Sequence, residues 1–251
     1  SEKNDVPTSG YENSIISSSI TTGFEQYKDI DVSLGLSASY DDLRTLSSAS
    51  SSLKKQSGEF TEISGNYGFA FDKRNRKFMP TDGSVITFRQ AFPIFADKAF
   101  IDNTFLASNY VALSEDVITA TKLYLTAVKG IDEDVRISKR KGISTTRLRG
   151  FEKGKVGPID GNDHIGGNYA AALNLEANLP NFLPEDSKTD ISVFLDFGNV
   201  WGVDYDSSIS ESNKIRSSTG IYASWNSPIG PMTFVFSNAL QKASTDKTES
   251  F

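Results

Sequence analysis

Ile30-Asp31-Val32-Ser33-Leu34-Gly35-Leu36-Ser37-Ala38-Ser39-Tyr40 is the stretch whose reading decides the fold. Apolar side chains stand at Ile30, Val32, Leu34, Leu36, Ala38 and Tyr40, and polar or small residues fill every position between them. Successive side chains of an extended chain point to opposite faces, so this segment has one apolar and one wet face. The alternation runs unbroken from residue 30 to residue 40. That is the length of a tilted strand crossing a bilayer, about 9–11 residues, and long for a soluble strand of about 5–6.

Outward from this stretch the same rhythm returns at 13–24, 60–72, 84–92, 100–111, 116–128, 167–179, 190–201, 214–226 and 231–238, which with 30–40 makes ten expected strands. In the third, Ile63, Tyr67, Phe69 and Phe71 oppose Glu62, Ser64, Asn66 and Asp72. Turn-forming Pro, Asp and Gly punctuate the rhythm at Phe78-Met79-Pro80-Thr81-Asp82-Gly83 and at Asn226-Ser227-Pro228-Ile229-Gly230-Pro231. Connections near 25–29, 73–83, 112–115 and 227–230 are mostly short, those at 42–59, 130–165 and 202–213 are long, and 180–189 is intermediate. The join at 93–99 is short although it falls on the long-loop side. Short turns at one end and longer loops at the other are the habit of outer-membrane barrels. Residues 1–12 read as a frayed end or a cut edge, and 42–59, with its Ser47–Ser52 run, as a flexible polar loop.

Composition agrees with a sheet that has one apolar face. Hydrophobic residues make up 37% of the chain while aromatics reach 11%, little for a two-layer soluble core. Tyr40, Phe71, Phe92, Trp201 and Trp225 lie at strand ends, where aromatic girdles mark membrane interfaces. A net charge of −6 argues against a nucleic-acid partner, and the absence of cysteine excludes disulfides and thiolate metal sites. No apolar run approaches the ~18 residues of a membrane helix, which says nothing about crossing by strands. Alternation alone also describes a soluble β-sandwich or a lipocalin-like barrel, and that is the alternative architecture.

Little in the sequence points to bond-making chemistry. His164 is the one histidine, set in the polar run Asp160-Gly161-Asn162-Asp163-His164, and reads as solvated. Asp160, Asn162 and Asp163 resemble only the start of a calcium loop, without the glutamate at its twelfth position. No Gly-x-Ser-x-Gly elbow occurs, and Asp132-Glu133-Asp134 reads as a solvated loop. Catalytic, cofactor-binding and metal-binding residues are therefore not expected.

One constellation remains. Arg147-Leu148-Arg149-Gly150-Phe151 sits in the one long segment, roughly 130–165, that is rich in charge and glycine and has no strand alternation. Parity places Glu176 on a strand face with Asn174 and Asn178, opposite Leu173 and Leu175. It places Asp196 with Ser192 and Phe194, opposite Val193, Leu195 and Phe197. In a membrane barrel the apolar faces meet lipid, so both carboxylates point into the lumen. Two carboxylates on neighbouring strands repel unless a cation lies between them, and an arginine fork suits that place. The residues by themselves leave open an exposed loop arginine with two unrelated strand acids.

Several motifs together resemble the barrel of the BamA family of outer-membrane protein assembly factors. That family belongs to the bacterial surface antigen superfamily, which has mitochondrial and chloroplast members. The motifs are Phe78-x-Pro80-Thr81-Asp82-Gly83-Ser84, Arg149-Gly150-Phe151, Gly166-Gly167-Asn168, Leu175-Glu176, Asp196-Phe197-Gly198-Asn199-Val200-Trp201 and Ser227-Pro228-Ile229-Gly230-Pro231, in that order from about residue 60 onward. The resemblance implies a long loop folded into the barrel lumen, with Arg149 contacting Glu176 and Asp196 and flanked by Gly150 and Phe151. It implies a protein integral to the bacterial outer membrane that inserts and folds other barrel proteins without covalent chemistry. Its partners would be the lipid bilayer, unfolded outer-membrane clients and accessory lipoproteins held by periplasmic modules. Against the family's sixteen strands, residues 1–251 are expected to be a partial C-terminal barrel domain holding about the sixth to fifteenth, without the periplasmic modules and without both edges of the lateral gate. Outer-membrane secretion transporters of the same superfamily share the loop arginine and form the second reading.

Overall fold

Antiparallel pairing turns the alternation into one continuous sheet. The computed structural model describes residues 2–6, 11–180, 187, 189–203, 209–227 and 229–250. In chain order the strands are β1 (Glu2–Val6), β2 (Tyr11–Tyr27), β3 (Ile30–Thr45), β4 (Gly58–Asp72), β5 (Gly83–Ala96), β6 (Phe100–Ala112) and β7 (Ile118–Gly130). Next come two short pieces, β8 (Ile159–Asp160) and β9 (Asp163–His164), then β10 (Tyr169–Asn178), β11 (Thr189–Trp201), β12 (Arg216–Ser227) and β13 (Gly230–Gln241). Among the described residues eleven strands join in the order β1-β2-β3-β4-β5-β6-β7-β10-β11-β12-β13, and β8 pairs with β9 apart from them. Each strand neighbours the next along the chain, except where the long segment between β7 and β10 leaves the wall. The sheet has two edges, β1 and β13, and is an open barrel wall.

Three readings are corrected here. Residues 1–12 are not simply frayed, since Glu2–Val6 pairs with β2, Val6 opposite Tyr11, and raises the strand number from ten to eleven. Residues 42–59 are not a flexible loop. β3 runs on to Thr45, a single helical turn α1 (Ser51–Lys54) follows, and Leu43, Ala49 and Leu53 are buried against Ile137 and Ile165. The serine run hides these three apolar anchors, which lie too far apart for a periodic signal. The third correction concerns His164, described below. Most of the 180–189 join, part of the 202–213 loop and Pro228 lie outside the described residues.

Burial separates the two faces of the wall. On β11 the pattern alternates cleanly, with Ser192, Phe194, Asp196, Gly198 and Val200 buried and Val193, Leu195 and Phe197 half-exposed between them. On β3 Leu34, Leu36, Ala38 and Tyr40 are exposed along the middle of the strand, with Asp31 and Arg44 exposed near its ends. Ile20, Phe69, Ile86, Ile94, Leu125, Leu175, Ile221 and Phe236 continue that apolar belt across the other strands. No second sheet covers it among the described residues, and a soluble monomer rarely exposes so much contiguous apolar surface. The sandwich alternative fails on this point, because its core needs a second sheet against the apolar face. The belt is the lipid-facing surface of a transmembrane wall.

The buried apolar side chains lie instead against the inner face. Three clusters form there, and the segment between β7 and β10 contributes to each. They gather Ile137 and Ile165 with Leu43 and Leu53, then Leu148, Phe151 and Val156 with Ala170 and Val200, then Val135 with Phe100 and Val128. The segment is thus the core of the molecule, and the wall curls around it.

Candidate functional site

Residues 131–168 descend along the inner face as a plug. Near the long-loop end of the wall a row of cations ties it to β3, β4 and β6. Arg136 Nη1 donates to Asp41 of β3 at 3.1 Å, Ser138 Oγ donates to the same carboxylate at 2.6 Å, and the guanidinium stacks over Phe60 at 4.2 Å. Lys139 bonds Glu62 of β4 at 2.8 Å, and Lys141 bonds Asp102 of β6. These partners lie tens of residues away in sequence, and only the curvature of the sheet brings them together.

At its deepest point the plug presents Arg147 to Phe151. Gly150 has φ +87°, in the left-handed region that favours glycine, and a Cβ there would lie 3.3 Å from Ser237 Oγ and 3.5 Å from Ser218 Cβ. The positive φ favours glycine here, and the turn packs closely against β12 and β13. Phe151, 1% exposed, packs with Leu148, Val156, Ala170 and Val200 and fixes the tip in depth. The small inner residues of β10 and β11 make room for this. A Cβ on Gly198 would come within 2.9 Å of Ile143 Cδ1.

Arg149 is held from every side. Its Nε and Nη2 donate to the two oxygens of Asp196 at 2.7 and 2.6 Å, and its backbone N–H adds a third bond to the same carboxylate at 3.1 Å. Nη2 also meets Glu176 at 3.0 Å. Below the guanidinium lie the rings of Phe194 at 3.7 Å and Tyr222 at 5.3 Å. Asn174 Nδ2 donates to Asp196 at 2.7 Å and to the Arg147 carbonyl at 2.8 Å, locking carboxylate and loop together. Glu176 shares its charge with Lys122 of β7 at 2.6 Å. The structure thus brings Arg149, Glu176 and Asp196 into one network spanning β7, β10, β11 and β12, with Asp196 wholly buried. Such a bidentate, desolvated pair is geometrically demanding and strong. Arg147 takes another course, with its guanidinium over the Tyr124 ring at 4.0 Å.

His164 is buried at 7% exposure and does not sit in solvent. Its Nε2 lies 3.2 Å from the Thr245 carbonyl, while Nδ1 has no hydrogen-bond partner among the described residues. Burial, helped by nearby Lys155, pushes the imidazole below the ordinary histidine range. Asp160 accepts a 2.5 Å bond from Ser50. Glu133 pairs with Lys98 at 3.2 Å, whereas Asp132 and Asp134 are exposed. No cluster of metal-ligating side chains occurs among the described residues.

Sequence reasoning passed over Arg136, Lys139, Lys141 and Arg216. The weak signal available was the spacing of cations in Arg136-Ile137-Ser138-Lys139-Arg140-Lys141, set against Asp41, Glu62 and Asp102 at inward parity on their strands.

Fold and plug together define a transmembrane β-barrel wall with a long loop inserted in its lumen. An Omp85 superfamily domain model matches residues 2–251, and the chain belongs to the Omp85 superfamily. Outer membrane protein assembly factor BamA of Neorickettsia risticii (strain Illinois) is 24% identical over 258 aligned positions, covering 98% of this chain and 34% of that protein. The sorting and assembly machinery component 50 homolog of Mus musculus is 28% identical over 62% of this chain and 35% of its own length. BamA from Haemophilus ducreyi lacking POTRA domains 1–3 superposes with a TM-score of 0.82 at 24% identity, covering 96% of this chain and 53% of that one. CdiB from Acinetobacter baumannii superposes at 0.59 with 9% identity, covering 95% and 41%. The chain spans about a third of the length of the two assembly proteins named first.

Proposed function

We propose that this chain is the barrel part of an outer-membrane assembly factor, which inserts and folds other β-barrel proteins in the bacterial outer membrane without covalent catalysis. The observation that carries the reading is the match of the whole described wall to an assembly-factor barrel at TM-score 0.82. It is joined by assembly factors among the relatives of this chain. The substrates are unfolded barrel proteins, the working medium is the lipid bilayer, and accessory lipoproteins act through periplasmic modules outside this chain. The secretion-transporter reading has the CdiB likeness in its favour, but at a TM-score of 0.59 it ranks second.

In this mechanism the protein supplies backbone hydrogen-bonding groups in place of water. A client strand entering a bilayer must satisfy every N–H and C=O at once, and an exposed sheet edge offers that pairing. The edge is useful only if the wall behind it keeps its shape. Arg149, Gly150, Phe151, Glu176 and Asp196 act as an internal latch that braces β10 to β13 against the plug. They bind no substrate. The reading is tested in cells depleted of their own assembly factor, by supplying the full-length parent protein. Restored levels of heat-modifiable barrel proteins support it. Secretion of a single exoprotein with no recovery of barrel assembly would favour the transporter.

A further inference from the structure

A further buried ion pair lies away from the Arg149 latch and the Arg136–Asp41 contact, between the first residue of β12 and the segment that follows β13. Arg216 and Asp246 both have 0% side-chain exposure. Arg216 Nε and Nη2 donate to the two Asp246 oxygens at 2.8 and 3.0 Å. The remaining nitrogen, Nη1, donates to Asn199 Oδ1 at 2.5 Å and to the carbonyls of Ser212 and Lys214 at 3.2 and 3.0 Å. Asp246 also accepts the Ala243 N–H at 2.6 Å, so the carboxylate closes its own turn while gripping β12.

From that fixed point the chain runs back along the plug. Lys247 N–H reaches the Lys155 carbonyl at 3.3 Å, Glu152 N–H reaches the Lys247 carbonyl at 3.0 Å, and Glu249 N–H reaches the Gly150 carbonyl at 3.2 Å. Phe151 and Thr248 face each other as an antiparallel bridge. Ser237 N–H then donates to the Ser250 carbonyl at 3.1 Å, the one rung on the outer edge of β13 among the described residues. One ion pair therefore stands between the latch loop, β12 and the place where pairing on the β13 edge begins.

We propose that Arg216 and Asp246 are positioning residues that set the register of the strand added to the β13 edge. Backbone ladders alone do not choose a register, since a slip of two residues keeps every side chain on its face and every ladder bond available. A side-chain clamp that fixes residues 243–246 removes that freedom, because the few residues left before Ser250 can then meet β13 at one place. The inference rests on the edge-pairing mechanism above, but it concerns a geometry that can be read without any client.

The test uses the full-length parent protein carrying cysteine pairs. Ser237→Cys with Ser250→Cys reports the register seen here, and Ser237→Cys with Thr248→Cys reports a two-residue slip. In the otherwise unchanged protein the first pair should form the disulfide and the second should not. Asp246→Asn should shift cross-linking so that both pairs form, and Asp246→Glu should restore the single product. Cross-linking is read only in the heat-modifiable, folded fraction. Should Asp246→Asn yield none, Arg216→Lys, which keeps the charge but loses the two-pronged fork, takes its place. Folded protein of either variant that still forms only the Ser237–Ser250 cross-link would overturn the proposal. Loss of client assembly with an unchanged cross-link pattern would also count against it, while leaving the assembly reading in place.

Discussion

Asp196 has no solvent exposure, and beside the bonds from Asn174 and the Arg149 backbone N–H its ion-pair partner is the Arg149 guanidinium, which supplies two donors and the balancing charge. Removing Arg149 leaves a buried carboxylate uncompensated, a loss of about 3–5 kcal/mol. The Arg147 side chain offers a stacked contact on Tyr124, worth about 0.5–2 kcal/mol, and a long 3.4 Å bond to Ser144 Oγ, with no buried carboxylate left behind by its removal. Arg149→Ala should therefore lower the urea midpoint of the folded parent protein well beyond Arg147→Ala, and equal shifts would mean that the load lies elsewhere. His164 makes a pH prediction. The folded protein holds its ring neutral below the ordinary histidine range, while the unfolded chain takes up a proton near its usual value of about 6.5. The unfolded state then binds more protons, so stability is present above about pH 6.5 and falls as the pH drops below it. His164→Gln should flatten that slope in a pH series of unfolding curves. A slope unchanged by the substitution would clear His164 of the effect.

At the scale of elements, the strands were legible and most of the plug was not. Alternation is a local signal, and Leu34, Leu36 and Tyr40 show it within one short window. The plug's bonds are non-local. Arg136 meets Asp41 and Lys139 meets Glu62 across stretches of chain that contain whole hairpins, with no period to announce them. Arg149 could be singled out because strand parity aimed Glu176 and Asp196 inward and the motif order resembled a known family; Arg216, without such flags, was passed over. His164 was misread because its neighbours in sequence are polar, whereas its neighbours in space are the Thr245 backbone and the buried interior of the plug. Phe151 tests the plug as an element. Phe151→Ala removes an aromatic anchor from a buried cluster and should cost about 3–5 kcal/mol, read as a lower urea midpoint, although no charge changes. A near-neutral result would mean that the plug tip is loosely packed.

For the whole molecule, the arrangement inverts a soluble domain. Apolar side chains such as Leu36 at 52% exposure face outward, and the interior is a plug that joins apolar clusters to buried ion pairs. Leu36→Arg places a cation on the lipid face midway along β3 and should cost about 2–4 kcal/mol in folding into vesicles. Ser37→Ala, one residue away on the inner face, gives up only the bond to Ser64 and should cost about 0.5–1.5 kcal/mol. The reverse order would place lipid on the wrong face. The wall and its latch serve assembly only if bracing the plug supports client pairing at the edge. The most direct measurement reconstitutes the full-length parent protein in vesicles and follows a denatured client barrel to its heat-modifiable form. The account predicts acceleration over empty vesicles, most of it lost with Arg149→Ala and most of it kept with Arg147→Ala. No acceleration by the parent protein, or equal rates for the two substitutions, would contradict it.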